Sequence, residues 1–276
     1  MDSISVSSGQ LEGWTVGSGE PVLFIHGVII ADAFRGLEQQ PDLADSCQLI
    51  SYHRRGFFGS VDHDGAFSIA QQSADARAVL SHYGIDSAHV VGHSYGGAIA
   101  LQLAMDTPEL VASLGLLEPA ILAVPAAAEF MEGAQAIAGI WASGDKAGAV
   151  GAFLQAVGGP DYRAAVDQTV PDGWFDQAVS EVDVLFEVEL PALGEWLFGP
   201  EQAAGITLPS IALLGEQSAE IFQQGFAWQQ EHLPGVETFT VPGANHILQM
   251  MNPSAVAGAL ASFVARHRAG SPALPH

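Results

Sequence analysis

The most constraining feature of the sequence is a serine set between glycines where a predicted strand meets a predicted helix. Residues 87–91 have strand character, residues 98–104 have helical character, and the pattern Gly-x-Ser-x-Gly joins them at Gly92, Ser94 and Gly96. The glycines remove side chains that would collide in so sharp a turn. The pattern therefore predicts a strained turn that exposes the serine hydroxyl at a sheet edge, as a nucleophile requires.

Two backbone N–H groups are candidates for stabilising the negative charge that develops on an attacked carbonyl. The first belongs to Tyr95, because a helix that starts there directs its free N–H groups and positive dipole end toward the serine. The second belongs to Val28, which follows the apolar strand predicted at residues 22–25 and the pair His26-Gly27. We therefore predict an oxyanion hole formed by Val28 and Tyr95, with His26 bracing the loop.

The order of the predicted elements is typical of an α/β fold with a mostly parallel sheet. Strands are predicted at residues 4–6, 11–16, 22–25, 47–52, 88–91, 111–117, 208–214 and 236–241, and helices at 31–43, 68–83, 95–105, 219–232 and 253–267. The first two strands form a hairpin at an antiparallel edge. Because the later strands alternate with helices, we expect eight strands with helices on both faces of the sheet.

The alternation of strands and helices stops between residues 121 and 205. Helical stretches in this region are interrupted by glycines and prolines, and no strand is predicted there. We therefore predict a core domain of residues 1–120 and 206–276 with an inserted helical cap at 121–205. An apolar underside of the cap should roof a binding pocket, and Trp174 is the predicted contact with the substrate.

The composition restricts the partners of the chain. With 31 acidic and 8 basic residues the formal net charge is −23, which repels nucleic acid and anionic membrane surfaces. The single cysteine excludes an intrachain disulfide, no apolar run approaches the ~20 residues that span a bilayer, and the first residues lack a signal-peptide pattern. We expect a cytoplasmic protein without nucleic-acid or membrane partners; the sequence allows a homodimer but does not require one.

Four groups of residues, in this order, resemble the α/β-hydrolase family. They are His26-Gly27, Arg55-Gly56 with Gly59-Ser60, Gly92-His93-Ser94-Tyr95-Gly96-Gly97 and Gly243-Ala244-Asn245-His246. The resemblance extends over residues 4–268. It implies that Ser94 is the nucleophile and His246 the general base of an enzyme that needs neither a metal ion nor an organic cofactor.

The sequence departs from the family at the acid that should support the histidine. In most members this acid follows the strand that corresponds to residues 208–214, in the pattern Gly-x-x-Asp. Here the sequence reads Gly215-Glu216-Gln217-Ser218. A neutral serine hydroxyl cannot stabilise an imidazolium as a carboxylate does. Either Glu216 acts from a shifted position or the acid lies elsewhere in the fold.

Glu118 is the better candidate for the acid. It follows the strand predicted at residues 111–117, and Pro119 makes its exit from that strand rigid. This placement resembles haloalkane dehalogenases of the Glu-bearing type and zearalenone-lactone hydrolases, which use a glutamate after the corresponding strand. The alternative is that Glu118 is a structural carboxylate at the entry to the cap.

These residues predict a serine hydrolase that cleaves an apolar, uncharged ester or lactone through an acyl-enzyme. A serine at position 94, in place of an aspartate, argues against dehalogenase and epoxide-hydrolase chemistry, which in this family needs an ester formed on a carboxylate. The same triad also serves C–C bond hydrolysis and amide cleavage, and the fold does not choose among them. A ligand receptor that keeps the pocket with little turnover is an alternative from another class.

Overall fold

A nine-stranded sheet organises residues 1–62 and 67–268, the part of the chain that the computed structural model describes. The strands are β1 (Asp2–Val6), β2 (Gly9–Gly17), β3 (Glu20–Ile25), β4 (Cys47–Tyr52), β5 (Val61–Asp62), β6 (Ala88–His93), β7 (Val111–Leu117), β8 (Ser210–Gly215) and β9 (Glu237–Val241). Eight strands follow the order β1-β2-β4-β3-β6-β7-β8-β9, and the short β5 pairs with β2 outside that order. β2 pairs antiparallel with both neighbours in this order, and all later pairs are parallel. The predicted mostly parallel, eight-stranded sheet is confirmed, and β5 is an addition to it.

Helices cover both faces of the sheet, as predicted. They are α1 (Arg35–Glu38), α2 (Pro41–Ala44), α3 (Ile69–His82), α4 (Tyr95–Asp106), α5 (Ala127–Ala142), α6 (Lys146–Gly158), α7 (Tyr162–Thr169), α8 (Trp174–Asp183), α9 (Leu190–Glu195), α10 (Pro200–Ala204), α11 (Glu220–His232), α12 (Leu248–Met251) and α13 (Pro253–Arg266). Successive side chains of β3 point to opposite faces of the sheet and belong to different cores. Leu23 shares one core with residues of α3, α4 and α11, whereas Phe24 shares the other with residues of α1, α2, α12 and α13. In the described ranges, no helix combines the length and the apolar character that a membrane crossing requires.

The region predicted as one helix at residues 31–43 differs from that prediction. Helix α1 ends at Glu38 and α2 begins at Pro41. Of the two residues between them, Gln40, directly before the proline, has extended backbone angles of φ −82° and ψ 121°. The ring of a proline disfavours the helical conformation of the residue before it. Pro41 therefore ends the first helix and starts the second.

Between β7 and β8 the chain forms helices α5 to α10 and a π-helical turn at Val184–Glu189. The apolar faces of α5 to α8 and of the π-helical turn share one core, which contains Phe153 and Leu185, whereas Leu193 of α9 and Ala203 of α10 belong to the core that also contains Leu23. Ile29 and Ile247, from loops at the carboxyl edge of the sheet, belong to the core that contains Phe153. The helices of this segment therefore pack over that edge. The division into a core domain and a cap at residues 120 and 205 stays a prediction, and residues 269–276 of the predicted core lie outside the described ranges.

Candidate active site

Ser94 occupies the junction between β6 and α4 in a conformation that few residues with side chains adopt. Its backbone angles are φ 53° and ψ −119°. A Cβ atom at Gly92 would collide with the backbone of Gly96, and one at Gly96 would collide with the carbonyl of Ile25 at the end of β3. Glycines at both positions therefore allow α4 to start directly against the strands, which is the turn that the sequence pattern indicated.

The structure brings His246 and Glu118 together from distant parts of the chain. His246 lies in the loop between β9 and α12, and Glu118 directly follows β7. Nδ1 of His246 donates a hydrogen bond to Oε2 of Glu118 over 2.7 Å, and only 5% of the imidazole and none of the carboxylate side chain is exposed. Because Nδ1 carries the proton of the neutral ring, Nε2 is left as the acceptor that a general base needs.

The second carboxylate oxygen of Glu118 is also held in place. Oε1 accepts hydrogen bonds from the Gly215 N–H over 2.7 Å and from the Ser218 hydroxyl. The backbone of Glu118 has φ 44°, so this residue, like Ser94, is held in the sparsely populated left-handed region. Ser218, which stands where the family pattern places its acid, therefore orients the carboxylate that meets the histidine. Sequence reasoning missed this role, because it treated Ser218 only as the loss of an acid.

Glu216, the other candidate for the acid, lies elsewhere. Its side chain is exposed, and its Oε2 accepts a hydrogen bond from the Gly243 N–H over 2.8 Å. Its hydrogen bond to Gly243 ties the loop after β8 to the loop that carries His246. The structure thus separates the two glutamates: Glu118 contacts the imidazole and Glu216 does not.

Two neighbours hold the imidazole of His246 from other directions. The ring of Phe222, on α11, stacks on it with a centroid distance of 3.7 Å and an interplanar angle of 9°. His93 Nε2 donates to the His246 carbonyl over 2.8 Å. Burial and the neighbouring imidazole lower the pKa of His93 to about 3, so this donor is a neutral ring. Neither contact could be predicted from the sequence. In the sequence, Phe222 is an ordinary apolar residue of an amphipathic helix.

The two predicted oxyanion donors belong to residues that lie close to the serine. Tyr95 is the first residue of α4, and the loop with Val28 contacts Ser94, because a Cβ atom at Gly27 would lie 3.2 Å from the serine Cβ. Among the described residues, neither the Val28 nor the Tyr95 N–H donates a hydrogen bond. Both residues line the same cavity as Ser94. The two N–H groups are therefore available to a charge that forms there.

His26 braces the loop before Val28. Its Nδ1 donates to the Gly27 carbonyl over 2.8 Å, and its Nε2 accepts from the Arg54 backbone N–H over 3.0 Å. Complete burial, with Arg54 nearby, lowers the pKa of His26 well below the usual value. His26 is therefore a neutral structural residue and not a second base.

Arg54 connects this loop to the helical segment. Its guanidinium donates to the carbonyls of His26 over 3.0 Å and Gly27 over 2.7 Å, and to a carboxylate oxygen of Glu189 in the π-helical turn. The side chains of Arg54 and Glu189 are 1% and 0% exposed. Burial raises the pKa of Glu189, and the guanidinium opposes that rise. A buried ion pair thus joins the segment between β7 and β8 to the loop that carries Val28.

Ser94 and His246 line one narrow cavity, here called the inner cavity, with a volume of about 40 Å³. Its other lining residues are Val28, Tyr95, Pro119, Ala120, Ile121, Leu122, Phe130, Phe153, Val157, Leu185, Glu189, Leu190, Leu193, Ile221 and Phe222. A second cavity of about 20 Å³, also lined by Ser94 and His246, lies beside it. The serine hydroxyl makes no hydrogen bond with the imidazole in the described structure; in such sites this bond commonly shortens in the reactive complex.

Trp174 does not line either cavity. Its indole Nε1 donates to Asp167 over 2.7 Å, and its ring packs edge-on against Phe175 at a centroid distance of 5.5 Å. This hydrogen bond within the helical segment turns the ring away from the site into the segment's own core. The substrate contact at Trp174 stays a prediction, and the aromatic residues of the helical segment that line the inner cavity are Phe130 and Phe153.

The arrangement is suited to acyl transfer. A hydroxyl on a strained turn, an imidazole oriented by a buried carboxylate and two unpaired N–H groups are the parts that nucleophilic attack on a carbonyl requires. Within residues 1–62 and 67–268, no group of three or more His, Cys, Asp or Glu residues is arranged to hold a metal ion. Glu189 is the one further charged residue on the cavity wall.

Comparison of sequences identifies the family. The sequence model of the family described as the alpha/beta hydrolase fold matches residues 20–165, more than half of the 276 residues. The dihydrolipoyllysine-residue acetyltransferase component of the acetoin cleaving system from Cupriavidus necator is 37% identical over 103 residues, which are 37% of this chain and 27% of that protein. The chain spans about a quarter to two-fifths of the length of the curated relatives it matches first.

Solved structures resemble the whole chain at low sequence identity. A thermophilic esterase from Thermogutta terrifontis has a TM-score of 0.78 at 18% identity, over 97% of this chain and 98% of that one. The epoxide hydrolase CorEH has a TM-score of 0.77 at 21% identity, over 97% of this chain and 99% of that one. At such identities the likeness supports the fold alone. The family match, together with this sheet and the elements that carry Ser94 and His246, shows that the chain belongs to the α/β-hydrolase fold family.

Proposed function

We propose that this protein is a serine hydrolase that cleaves an apolar, uncharged carboxylic ester or lactone through an acyl-enzyme intermediate. The observation that carries the proposal is the 2.7 Å hydrogen bond between His246 and the buried Glu118, at the cavity that Ser94 also lines. This pair supplies an oriented base beside a strained nucleophile. Such a constellation activates a hydroxyl that is otherwise a weak nucleophile at neutral pH.

In the first half of the proposed reaction, Ser94 Oγ attacks the carbonyl carbon and its proton passes to Nε2 of His246. The N–H groups of Val28 and Tyr95 stabilise the negative charge on the carbonyl oxygen. The bond between that carbon and the alcohol oxygen then breaks, and the alcohol leaves with the proton from His246. Glu118 stabilises the imidazolium between the two proton transfers.

In the second half, water attacks the acyl carbon and gives one proton to His246. The bond to Ser94 Oγ breaks, the serine recovers the proton, and the carboxylic acid is released. With a lactone the alcohol stays attached to the acyl group, and the product is a hydroxy acid.

The character of the cavity supports an apolar, uncharged substrate. Most of its lining is aliphatic or aromatic, and the net charge of −23 disfavours anions. Likeness to the Thermogutta terrifontis esterase is compatible with ester cleavage. Epoxide hydrolysis, the activity named for CorEH, is disfavoured because a serine occupies the nucleophile position at Ser94, where that chemistry needs a carboxylate.

A pre-steady-state assay tests the proposal directly. With p-nitrophenyl butyrate we expect a burst of p-nitrophenol equal to about one equivalent of enzyme, and a fluorophosphonate probe should label Ser94, as located by peptide mass spectrometry. The Ser94→Ala variant is the control and should show neither burst nor label. Absence of both signals from the unmodified protein would favour a ligand receptor. Labelling with turnover of an amide or a β-diketone, but of no ester, would favour the other hydrolases that use this triad.

A further inference from the structure

A third space, here called the outer groove, lies next to the inner cavity and is distinct from the 20 Å³ cavity described above. It runs between α5, α6 and the start of α11 and has a volume of about 300 Å³. Phe130, Phe153, Val157 and Ile221 line both spaces and form the wall between them. The outer groove is therefore separated from Ser94 and His246 only by apolar residues of the helical segment and of α11.

We infer that the outer groove binds a long aliphatic arm of the substrate, so that the preferred ester carries a neutral chain of about eight or more carbons on one side of the scissile bond. This inference rests on the proposed function and narrows it from apolar esters in general to esters with one long arm. The arm can belong to the acyl group or to the alcohol, since both present the same hydrocarbon surface.

Size is the first argument for this assignment. The inner cavity, at about 40 Å³, has room for roughly three or four water molecules, and the neighbouring cavity of about 20 Å³ for fewer. Neither space holds a long chain together with the reacting carbonyl. An arm that leaves the inner cavity through the shared wall enters a groove with several times the volume. The neighbouring 20 Å³ cavity, also lined by Ser94, then takes the short side of the ester.

Polarity is the second argument. Apart from two carboxylates, the outer groove is lined by Ala, Gly, Val, Ile and Phe, which offer hydrocarbon contact and no side-chain hydrogen bonds. The carboxylates, Glu129 and Glu220, are exposed residues of α5 and α11. Their charge disfavours an arm that ends in a carboxylate or phosphate. A neutral alkyl chain suits both the apolar lining and the two negative charges of the groove.

The walls of the outer groove also suit a binding site. The N–H of Ala126 donates to the side chain of Gln224 over 2.9 Å, which holds the start of α5 to α11. Phe130 and Ile221, in the shared wall, are half-buried, so a change of rotamer at either residue can join the two spaces without moving the backbone. The helices that form the groove are therefore joined by a hydrogen bond, and side chains in the wall toward the inner cavity can change rotamer.

Two glycines of α5 provide a matched test. Gly133 lines the outer groove and Gly139 does not, and a Cβ atom at either would meet nothing within 4 Å. Phenylalanine has the higher helix propensity, so both Gly133→Phe and Gly139→Phe should fold. Two substrate series, methyl alkanoates and alkyl acetates, each from two to ten carbons in the varied arm, identify which arm enters the groove.

We expect kcat/KM of the unmodified protein to rise with chain length in one series, by up to about fourfold per methylene, which corresponds to about 0.8 kcal/mol. Gly133→Phe should lower the ratio of kcat/KM for the ten-carbon over the four-carbon ester at least tenfold, and Gly139→Phe should leave it within twofold. Flat profiles beyond four carbons, or equal changes in both variants, would overturn the inference.

A binding experiment distinguishes failure of the groove inference from failure of the proposed hydrolase function. Titration of the Ser94→Ala variant with methyl decanoate and with decyl acetate measures binding without turnover, and adding Gly133→Phe should weaken at least tenfold the binding of the ester whose long arm enters the groove. Loss of binding on blocking the groove would support the outer groove even in a protein that hydrolyses no ester. Unchanged binding, with the unmodified protein active on esters, would reject the groove and leave the proposed function in place.

Discussion

The carboxyl edge of the sheet and the helical segment above it contribute to the site in different ways. At the edge, Ser94 and Glu118 adopt positive φ angles of 53° and 44°, and the side chain of Glu118 accepts three hydrogen bonds. The helical segment contributes wall residues such as Phe130, which are apolar and in part exposed. The edge therefore defines where a reaction can occur, and the segment defines which molecule fits beside it.

The two regions are joined by few polar contacts, of which the buried pair of Arg54 and Glu189 is the most enclosed. A comparable pair, Arg55 with Asp75, lies in the same loop region, with two hydrogen bonds of 2.5 and 2.7 Å, but stays within the core. Substitutions at the edge should therefore abolish the reaction, and those at the junction should impair it. Within the helical segment, substitutions in the shared wall should change selectivity, and those in the segment's own core should reduce stability.

The largest effect is expected at the nucleophile and its base. Ser94→Ala and His246→Ala should each lower kcat for p-nitrophenyl butyrate by roughly 10⁴–10⁶, because the first removes the nucleophile and the second removes the base that activates it. The double variant should lose little more, since the two residues act as a unit. Steady-state kinetics and circular dichroism of the three variants check this. Losses that multiply in the double variant would indicate independent roles.

The next effect concerns the two glutamates. Glu118→Gln should lower kcat by roughly 10²–10⁴, because the histidine loses its charge partner, whereas Glu216→Gln should lower it less than about tenfold. Glu216 is the matched control, since it lies at the same edge but bonds to Gly243. The measurement is kcat for both variants under identical conditions. The reverse order would move the acid to Glu216.

At the junction, Glu189→Gln should lower kcat about tenfold with a smaller change in KM, because Arg54 would lose the charge that fixes it beside the loop with Val28. Asp75→Asn is the control: it also leaves a buried arginine with a neutral partner, and among the described residues it does not touch that loop. Thermal unfolding should show that both variants lose stability. Equal kcat values for the two variants would contradict a special role for the junction.

Acid should destabilise the edge through His93, whose pKa of about 3 lies below the usual value of 6.5. Between these values the unfolded chain binds a proton that the folded chain does not. Averaged between pH 7 and 5, the free energy of unfolding therefore falls by roughly 1 kcal/mol per pH unit from this residue as pH falls. His93→Gln, which keeps a side-chain N–H for the His246 carbonyl, should flatten the slope by that amount in urea titrations between pH 7 and 5. Parallel slopes would show that His93 does not carry the effect.

The smallest effect on selectivity is expected at Trp174, in the core of the helical segment. Trp174→Ala should reduce the free energy of unfolding by about 3–5 kcal/mol, since the ring is buried, yet change the ratio between long-chain and short-chain esters less than twofold. Phe130→Ala, in the shared wall, should change that ratio more than fivefold. Chain-length profiles of the two variants make the comparison. A large change with Trp174→Ala would return that residue to the substrate pocket.

Prediction from sequence succeeded where the signal was local to the backbone. The order of strands, the helices on both faces and the turn at Ser94 follow from apolar runs, glycines and prolines that act within a few residues. The one incorrect helix, at residues 31–43, failed for an equally local reason, the effect of Pro41 on Gln40. Predicting these features required no knowledge of which residues pack against them.

Features that join distant segments were accessible only from the tertiary structure. The hydrogen bond between Glu118 and His246 spans 128 positions, and that between Arg54 and Glu189 spans 135. Sequence reasoning ranked Glu118 first but could not show that Ser218 supports it, and it gave no sign that Phe130 lines the inner cavity. The reason is physical: backbone preferences act between neighbours along the chain, whereas a side chain's partners depend on how helices and strands pack in space.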